Sequence, residues 1–435
     1  MNFLLPNSPL TGVFAAPPSK SVAHRLMIAA TLAGGSPEDV SIPGDVSNDI
    51  EATAACLKAL MDSDSPVLDC GESGSTVRFL LPVASALGKR AFFTGRGRLP
   101  ERPLGPMMKM LSEHGGLSFP LPPELPLAKP APHPRKLILP CDSKVEEFCD
   151  HLPLRLEGRL MPGYFLLPGN VSSQFISGIL FAMPLLSLPS RLELTTALES
   201  ADYVRLTLDT LRRFGISVET NSELTEFVYS GTSKYSLPKP LPLSVEGDWS
   251  NAAALLAAGA LAGDGVSASG LNPESAQGDR AIVTLLDKFG AEISFNGTIY
   301  MVRARERLKA IPEIDVRAIP DLVPVLAVVA GLAEGTTRFT HAGRLRLKES
   351  DRLETTARLL RSLGGIAETT PDSLEVTGVE QYTGGTVDSC NDHRIVMAAS
   401  LAATRANRPV IIENHEAIRK SWPDFFTIRE TLCAK

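Results

Sequence analysis

Small polar and basic residues open several long apolar stretches of this 435-residue chain. Lys20, Ser21 and Arg25 stand at the start of one stretch, residues 71–75 start a second, and residues 172–174 start a third. The first turn of a helix has free backbone N–H groups and a partial positive charge, so it favours anions. Lysine, arginine and serine side chains there add charge-assisted hydrogen bonds. If the stretches are helices, their first turns predict binding sites for phosphate or carboxylate groups.

Acidic and imidazole side chains occupy comparable positions later in the chain. Asp321 and residues 391–394, which include His393, also precede apolar stretches, and Lys420 precedes an aromatic run. Taken singly, Asp321 suggests a helix cap, His393 a buried structural residue and Lys420 a surface charge. Their recurrence in one chain favours side chains that converge on one site.

Residues 344–352 are rich in charges of both signs. If this segment is helical, Lys348 and Arg352 lie one turn apart and share a face. The alternative is an exposed helix start with ordinary ion pairs.

The elements that would position these side chains alternate in kind. Six stretches, beginning near residues 19, 74, 172, 250, 319 and 391, are apolar nearly all round and predict buried helices. Between them lie charged, amphipathic segments, most of which run into a strand-like alternation. Four of these segments end in a glycine that predicts a helix terminus, namely Gly115, Gly215, Gly290 and Gly364. Helices alternating with strands predict an α/β fold of about six units, arranged as two domains of three.

Composition narrows the class of protein. The chain is 44% hydrophobic and 21% charged, which is typical of a globular protein, and its net charge of −6 disfavours a nucleic-acid partner. Six scattered cysteines without zinc spacing predict reduced thiols. The first ten residues lack signal-peptide features, and the apolar stretches fall short of the ~20 residues of a membrane span. We therefore expect a cytoplasmic protein without a membrane partner. Residues 120–140 are proline-rich and predict an extended surface connection.

Eleven short motifs, in order, resemble the 5-enolpyruvylshikimate-3-phosphate synthase family over nearly the whole chain. The motifs are PPSKSVAHR, CGESGSTVRFL, LPERPLGPM, GNVSSQF, ESADY, VEGDWS, QGDR, IPDLVP, LKESDRL, NDHRIVMA and KSWPDFF. The resemblance implies a two-domain, inside-out α/β barrel in which each domain has three βαβαββ repeats. It also implies that residues 1–19 and 246–435 form one domain, that residues 20–245 form the other, and that the active site lies in the cleft between them.

The activity implied by this resemblance is transfer of the enolpyruvyl (carboxyvinyl) group of phosphoenolpyruvate to the 5-hydroxyl of shikimate 3-phosphate. Phosphate is released, and the product leads to chorismate and the aromatic amino acids. The family needs no cofactor or metal, and we expect a monomer whose partners are the two small-molecule substrates.

The nearest alternative is the sister enolpyruvyl transferase that acts on UDP-N-acetylglucosamine. That enzyme typically has Lys-Asn in the first motif and a reactive cysteine before its Arg-Pro, whereas this chain has Lys20-Ser21 and no cysteine in residues 94–104. A second alternative is a non-catalytic binding protein on the same scaffold. It would be expected to lose Asp321, Glu349 or Lys420, and all three are present.

The resemblance assigns roles residue by residue. Asp321 would accept the proton of the attacking hydroxyl, and Glu349 would exchange a proton with the methylene carbon, helped by Lys20 or His393. The residues implied to bind shikimate 3-phosphate are Lys20, Ser21, Arg25, Ser172, Ser173, Gln174, Ser200, Tyr203, Asp321 and Lys348. Those implied to bind phosphoenolpyruvate are Lys20, Gly74, Arg102, Gln174, Arg352, Arg394 and Lys420.

Several positions depart from the usual family pattern without removing a proton-transfer residue. Pro18, Ala23 and His24 replace Gly, Ser and Asn in the first motif, and Ser75 replaces Thr in the second. Glu72 replaces Asn, and we expect it to point away from the anion site or to pair with a nearby arginine. Arg344 stands where Asn often contacts the shikimate phosphate, so its role stays open. Gly74 is retained, which predicts sensitivity to glyphosate.

Overall fold

The computed structural model describes residues 2–121, 149–261, 264–305 and 307–433. The proline-rich connection predicted over residues 120–140 lies almost entirely outside the described residues. No helix in the described part is long and apolar enough to span a membrane.

Helices of two kinds alternate along the described chain, as the sequence predicts. The odd-numbered helices are almost wholly buried, whereas the even-numbered helices bury one face and end in charged residues or turns. The helices are α1 (Lys20–Leu32), α2 (Asn48–Asp62), α3 (Gly74–Ala86), α4 (Gly105–Glu113), α5 (Ser173–Ala182), α6 (Ala201–Arg213), α7 (Trp249–Leu261), α8 (Ala281–Phe289), α9 (Val323–Ala330), α10 (Arg352–Ser362), α11 (His393–Ala403) and α12 (Phe425–Leu432).

The four glycines predicted to end amphipathic helices do so. Gly115, Gly215, Gly290 and Gly364 have φ values of 91°, 80°, 107° and 82°, the left-handed conformation that closes a helix C-terminus without a side-chain clash.

Short strands connect the helices. They are β1 (Asn2–Leu5), β2 (Gly12–Ala15), β3 (Val40–Ser41), β4 (Val67–Asp69), β5 (Ala91–Thr94), β6 (Gly116–Pro120), β7 (Leu154–Gly158), β8 (Tyr164–Leu167), β9 (Ser190–Leu194), β10 (Glu219–Thr220), β11 (Glu226–Tyr229), β12 (Leu243–Ser244), β13 (Val266–Ser269), β14 (Glu292–Phe295), β15 (Ile299–Arg303), β16 (Glu313–Asp315), β17 (Thr336–Thr340), β18 (Ile366–Thr369), β19 (Leu374–Thr377), β20 (Gly385–Asp388) and β21 (Val410–Glu413).

The strands form small mixed sheets that repeat one plan. Four sheets have four strands each, in the orders β4-β5-β7-β6, β10-β11-β9-β8, β14-β15-β13-β2 and β16-β17-β19-β18. Each contains one parallel pair, such as β4 and β5 with Leu68 opposite Phe93, followed by antiparallel neighbours. Two smaller sheets have the orders β1-β21-β20 and β12-β3. In the units that are continuous in sequence, a buried helix joins the two parallel strands.

The chain crosses twice between two hydrophobic cores, and both crossings lie in the same region of the molecule. One core draws its residues from 23–243, and the other draws them from 5–14 and 249–432. Strand β2 pairs with β13, so the N-terminal segment completes the core that lies beyond the second crossing, whereas β3 pairs with β12 inside the other core. The two crossing segments lie side by side, because Ser19 N–H donates to Glu246 O and Asp248 N–H donates to Pro17 O.

Close packing of α3 against α5 sets their first turns next to each other. A Cβ added at Gly178 of α5 would lie 2.4 Å from Arg78 O of α3, so only glycine permits this approach. As a result, Gly74 and Ser173, which begin the two helices, face the same space.

Candidate active site

A cavity between the two halves collects the first turns of the buried helices. Helices α1, α3 and α5 reach it from one half, and α10, α11 and the turn before α9 reach it from the other. It encloses about 1030 Å³ of space, part of which is open to solvent. The cavity brings together every predicted site residue except Lys420, namely Lys20, Ser21, Arg25, Gly74, Arg102, Ser172, Ser173, Gln174, Ser200, Tyr203, Asp321, Lys348, Glu349, Arg352, His393 and Arg394.

The lining of the cavity is strongly cationic in an acidic chain. Eight lining side chains are Lys or Arg and four are Asp or Glu, a formal excess of four positive charges against −6 for the whole protein. The basic residues are Lys20, Arg25, Arg78, Arg102, Arg344, Lys348, Arg352 and Arg394, and the acidic ones are Asp49, Asp248, Asp321 and Glu349. Such a cluster predicts ligands that carry several negative charges.

Asp321 lies at the meeting point of three cations. It belongs to the short turn Pro320–Leu322 before α9 and makes no capping hydrogen bond, so it is not the helix cap that its position suggests. Lys348 Nζ and Arg352 Nη1 donate to its Oδ1 over 3.2 and 2.7 Å, and Arg394 Nη2 lies 3.6 Å from its Oδ2. Burial alone would raise the pKa of Asp321, but the three cations outweigh burial and hold the pKa well below its usual value. Asp321 is therefore an ionised carboxylate that can accept a proton.

Lys348 and Arg352 do not share a helical face, so that prediction is wrong. Lys348 has an extended backbone, and α10 begins only at Arg352, with Asp351 as its cap. The two cations still meet, because both contact Oδ1 of Asp321.

Arg352 connects the carboxylates of the site and is almost fully buried. Its Nε donates to Asp392 Oδ2 over 2.9 Å, its Nη1 to Asp321, and its Nη2 to Glu349 Oε2 over 2.5 Å. Despite burial, these carboxylates raise the pKa of Arg352, so the guanidinium stays charged. Asp392 also caps α11 by accepting from the backbone N–H of Arg394 over 2.9 Å.

Glu349 is held ionised by a second set of contacts. Burial would raise its pKa, but Arg352 and Arg102 outweigh burial and hold the pKa well below its usual value. Arg102 Nη1 lies 3.8 Å from Glu349 Oε1. Because Arg102 is contributed by the other half of the protein, this pair spans the cavity.

His393 and Lys20 lie on facing helices. Burial lowers the pKa of His393 well below its usual value, and Lys20 and Arg394 lower it further, so its imidazole is neutral at neutral pH. Its Nδ1 has no hydrogen-bond partner among the described residues. Lys20 Nζ contacts Asp49 Oδ2 at 2.8 Å, which orients the ammonium toward the cavity wall formed by α2.

The serine-rich end of the cavity is built by α3 and α5. Ser172 caps α5 by accepting from the Gln174 backbone N–H over 3.3 Å. The Gln174 side chain accepts from Arg78 Nη1 over 2.8 Å and donates to Ser75 Oγ over 2.7 Å. The amide of Gln174 is thus fixed between the two helices, with Ser173 beside it.

Arg25 is largely occupied by the protein itself. Its Nε donates to Thr207 Oγ1 over 2.9 Å, its Nη2 to Tyr203 O over 2.8 Å and its Nη1 to Ser21 O over 2.6 Å. Burial lowers the pKa of Arg25 to about 10, which still leaves it charged at neutral pH. Arg25 therefore holds α1 and α6 together and places Ser21 and Tyr203 at the cavity.

Arg344 enters the same end from the opposite half. Its Nη2 donates to Ser200 Oγ over 2.8 Å, and its Nη1 lies 3.0 Å from Glu199 Oε2. Ser200 also donates to Arg317 O over 3.1 Å, so the two halves are joined here by several contacts.

A family model described as EPSP synthase (3-phosphoshikimate 1-carboxyvinyltransferase) matches residues 5–116 and 142–428. The chain belongs to the EPSP synthase family. The 3-phosphoshikimate 1-carboxyvinyltransferases of Clostridium kluyveri and Clostridium acetobutylicum are each 38% identical to it, and the alignments cover 96% of this chain and 94% of each relative.

Solved structures agree at the level of the fold. An EPSP synthase from Acinetobacter baumannii superposes with a TM-score of 0.74 at 23% identity, over 99% of this chain and 98% of that one. The enolpyruvyl transferase NikO from Streptomyces tendae gives a TM-score of 0.69 at 16% identity, over 100% of this chain and 97% of that one. The mixed α/β fold is therefore that of EPSP synthase.

Lys420 was predicted to belong to the site, but it does not line the cavity. Its Nζ donates to Glu72 Oε2 and to Asn391 O, both over 2.6 Å, and the side chain is buried. Asn391 Nδ2 also donates to Glu72 Oε2 over 2.9 Å. Glu72 therefore pairs with a lysine of the other half and not with an arginine, and it is absent from the lining of the cavity, in agreement with the expectation that it points away.

Three charged lining residues were missed by sequence reasoning. Asp49 accepts from Lys20 Nζ, and Asp248 accepts from the Lys20 backbone N–H. Arg78 donates to the Gln174 side chain. Arg78 leaves a signal, since an arginine inside an otherwise apolar helix needs a buried partner. Asp248 lies in the motif VEGDWS, whereas Asp49 looks like an ordinary acidic residue in a first helical turn.

Proposed function

We propose that the protein transfers the enolpyruvyl group of phosphoenolpyruvate to the 5-hydroxyl of shikimate 3-phosphate and releases phosphate. The observation that carries the proposal is the excess of four positive charges around two ionised carboxylates, Asp321 and Glu349. Two ligands that bear two phosphates and two carboxylates match the cations, and two separate proton-transfer groups match an addition followed by an elimination.

In the addition, the 5-hydroxyl oxygen bonds to C2 of phosphoenolpyruvate and its proton passes to Asp321. Lys348, Arg394 and Arg352 hold Asp321 ionised, so the carboxylate is ready to accept this proton. Glu349, which first takes a proton from Lys20 or His393, gives that proton to C3 and so converts the methylene into a methyl group.

In the elimination, the methyl group loses a proton and the C2–O bond to phosphate breaks. Glu349 is the group proposed to exchange protons with this carbon, with Lys20 or His393 assisting. A neutral His393 can accept or donate a proton, and its Nδ1 has no competing hydrogen-bond partner among the described residues.

The test is phosphate release from phosphoenolpyruvate with each acceptor in turn. We expect release with shikimate 3-phosphate and none above background with UDP-N-acetylglucosamine, the acceptor of the alternative activity. Absence of release with shikimate 3-phosphate, from folded protein, would contradict the proposal.

Gly74→Ala is expected to weaken phosphoenolpyruvate binding selectively. An added Cβ would lie 2.5 Å from Arg102 Nη1, so the guanidinium must move away. Losing one charge-assisted hydrogen bond of about 1.5–3 kcal/mol raises the KM for phosphoenolpyruvate roughly 10-fold or more. The KM for shikimate 3-phosphate should stay within about twofold, and inhibition by glyphosate, expected for the wild type at low phosphoenolpyruvate, should weaken in parallel.

Gly105→Ala is the matched control, since a Cβ there meets only the Asp150 side chain, at ordinary contact distances of 3.5 and 3.9 Å. Steady-state kinetics on both variants check the prediction. An unchanged KM for phosphoenolpyruvate in Gly74→Ala would refute the crowding of Arg102.

The proposal includes the domain organisation implied by the family. Residues 1–19 and 246–435 would form one domain and residues 20–245 the other, in an inside-out α/β barrel that closes on the substrates. The division of the hydrophobic core at the chain crossing supports it. A monomer in the cytoplasm, without a nucleic-acid partner, completes the proposed description.

A further inference from the structure

Asp279 is a buried acid that the proposed reaction does not use. It lies in the short turn Gly278–Arg280 before α8, within the motif QGDR, and only 4% of it is exposed. Its Oδ1 has no hydrogen-bond partner among the described residues. A buried carboxyl oxygen without a partner is costly, so its retention calls for an explanation.

Tyr203 bridges Asp279 and Asp321. Its Oη lies 3.1 Å from Asp279 Oδ2 and 3.3 Å from Asp321 Oδ2. A phenol has one proton, so Tyr203 donates to one carboxylate at a time, and its oxygen can accept from the other acid only when that acid is protonated. The three groups therefore form a chain that leads from the cavity to a buried acid behind it.

The two ends of this chain differ in proton affinity. Burial, and then repulsion from Asp321, raise the pKa of Asp279 to about 7. The other charged groups that face Asp279 are Arg394 of α11, which opposes this rise, and Asp248 ahead of α7, which adds to it. Asp321 is held by its cations well below the usual carboxyl pKa. A proton on Asp321 is therefore drawn toward Asp279.

We propose that Asp279 is the final acceptor of the proton that Asp321 takes from the attacking hydroxyl, with Tyr203 as the relay. Protonated Asp321 gives its proton to Tyr203 Oη while Tyr203 gives its phenolic proton to Asp279. Tyr203 ends neutral, Asp321 is ionised again, and Asp279 becomes a neutral acid. Asp279 acts only through Tyr203, so its role is to position the proton and not to contact the reacting atoms. The inference rests on the proposed function, because it needs a hydroxyl proton to remove.

The experiment is the pH profile of kcat for the wild type, Asp279→Asn and the control Asp209→Asn, with phosphate release as the readout. Asp209 is exposed on the same helix as Tyr203 and pairs only with Arg212 in the described structure. Below pH about 7 Asp279 is already protonated and the relay is closed, so wild-type kcat should rise with pH through about 7. Asp279→Asn should lose this rise and have a plateau about 10- to 100-fold lower, at or below the range of a direct acid–base catalyst.

Ionisation of the substrate phosphates, with a second pKa near 6, is common to all three enzymes and cancels in the comparison. The affinity for shikimate 3-phosphate, measured by calorimetry, should be unchanged in Asp279→Asn. If that variant keeps the rise near pH 7, or loses rate equally at every pH, the relay is overturned.

If Asp279→Asn does not fold, Tyr203→Phe is the second test. It removes the relaying hydroxyl and should also lose the rise, and retention of the rise would overturn the relay. The activity of the wild type separates the relay from the proposed function. If the wild type is active but the variants keep the rise in kcat near pH 7, only the relay is refuted. An inactive wild type would overturn both the relay and the proposed function.

Discussion

Asp321→Ala is expected to abolish turnover while shikimate 3-phosphate still binds. Loss of a direct proton acceptor costs about 10²- to 10⁴-fold in kcat. Two of the cations assigned to shikimate 3-phosphate do not depend on Asp321 for their position, since Lys20 keeps Asp49 and Arg25 keeps its bonds to α1 and α6. Removing one negative charge from the cavity should leave binding of an anionic ligand intact or slightly stronger.

Phosphate release and calorimetric binding of shikimate 3-phosphate are the two measurements. Asp321→Asn should lose activity in the same way, because an amide keeps the shape of the side chain but does not accept a proton. Asp287→Asn, at an exposed position of α8, is the control and should behave as the wild type. Turnover close to the wild type in either Asp321 variant would remove this residue from its role.

Arg352→Gln is expected to lower both stability and activity. The change leaves the carboxylates of Asp321, Glu349 and Asp392 without their shared buried cation. Removing one partner of a buried ion pair costs about 3–5 kcal/mol in the free energy of unfolding, because a buried charge loses its compensation. Phosphoenolpyruvate binding should fall as well, since Arg352 is one of the cations assigned to that ligand.

The loss of stability should depend on pH. Asp321 and Glu349 have lowered pKa values in the folded wild type, so their contribution is present above the unfolded carboxyl pKa of about 4. It is lost as the pH falls through the folded values. Without Arg352 this contribution shrinks, so the variant should differ from the wild type more at pH 7 than at pH 4.

Urea unfolding at the two pH values measures this effect. Arg212→Gln, which breaks an exposed pair with Asp209, is the control and should change stability little. A variant of Arg352 that is as stable as the wild type at pH 7 would contradict the central place given to this arginine.

Much of the fold follows from local rules. The buried helices are apolar on all sides, and the glycine-closed ends of four amphipathic helices depend on the conformation of a few neighbouring residues. For this reason the alternation of buried and amphipathic helices and the four glycine-closed helix ends could be predicted, whereas the backbone of Lys348 could not. Lys348 lies between the turn Gly343–Leu347 and the Asp351 cap, and its conformation is decided by what its side chain must reach, which is Asp321.

The candidate site also has one part that local sequence predicts and another that only packing decides. The sequence by itself determined which side chains stand at helix starts, because capping and the helix dipole act within one turn of the chain. Only the tertiary structure decided the partner of each charge, since charges pair with whatever the packing brings within about 4 Å. Lys420 meets Glu72 although 348 positions separate them, and Asp279 reaches Asp321 only through Tyr203 of the opposite half. No periodicity encodes such pairs, because they arise where the two hydrophobic cores face each other.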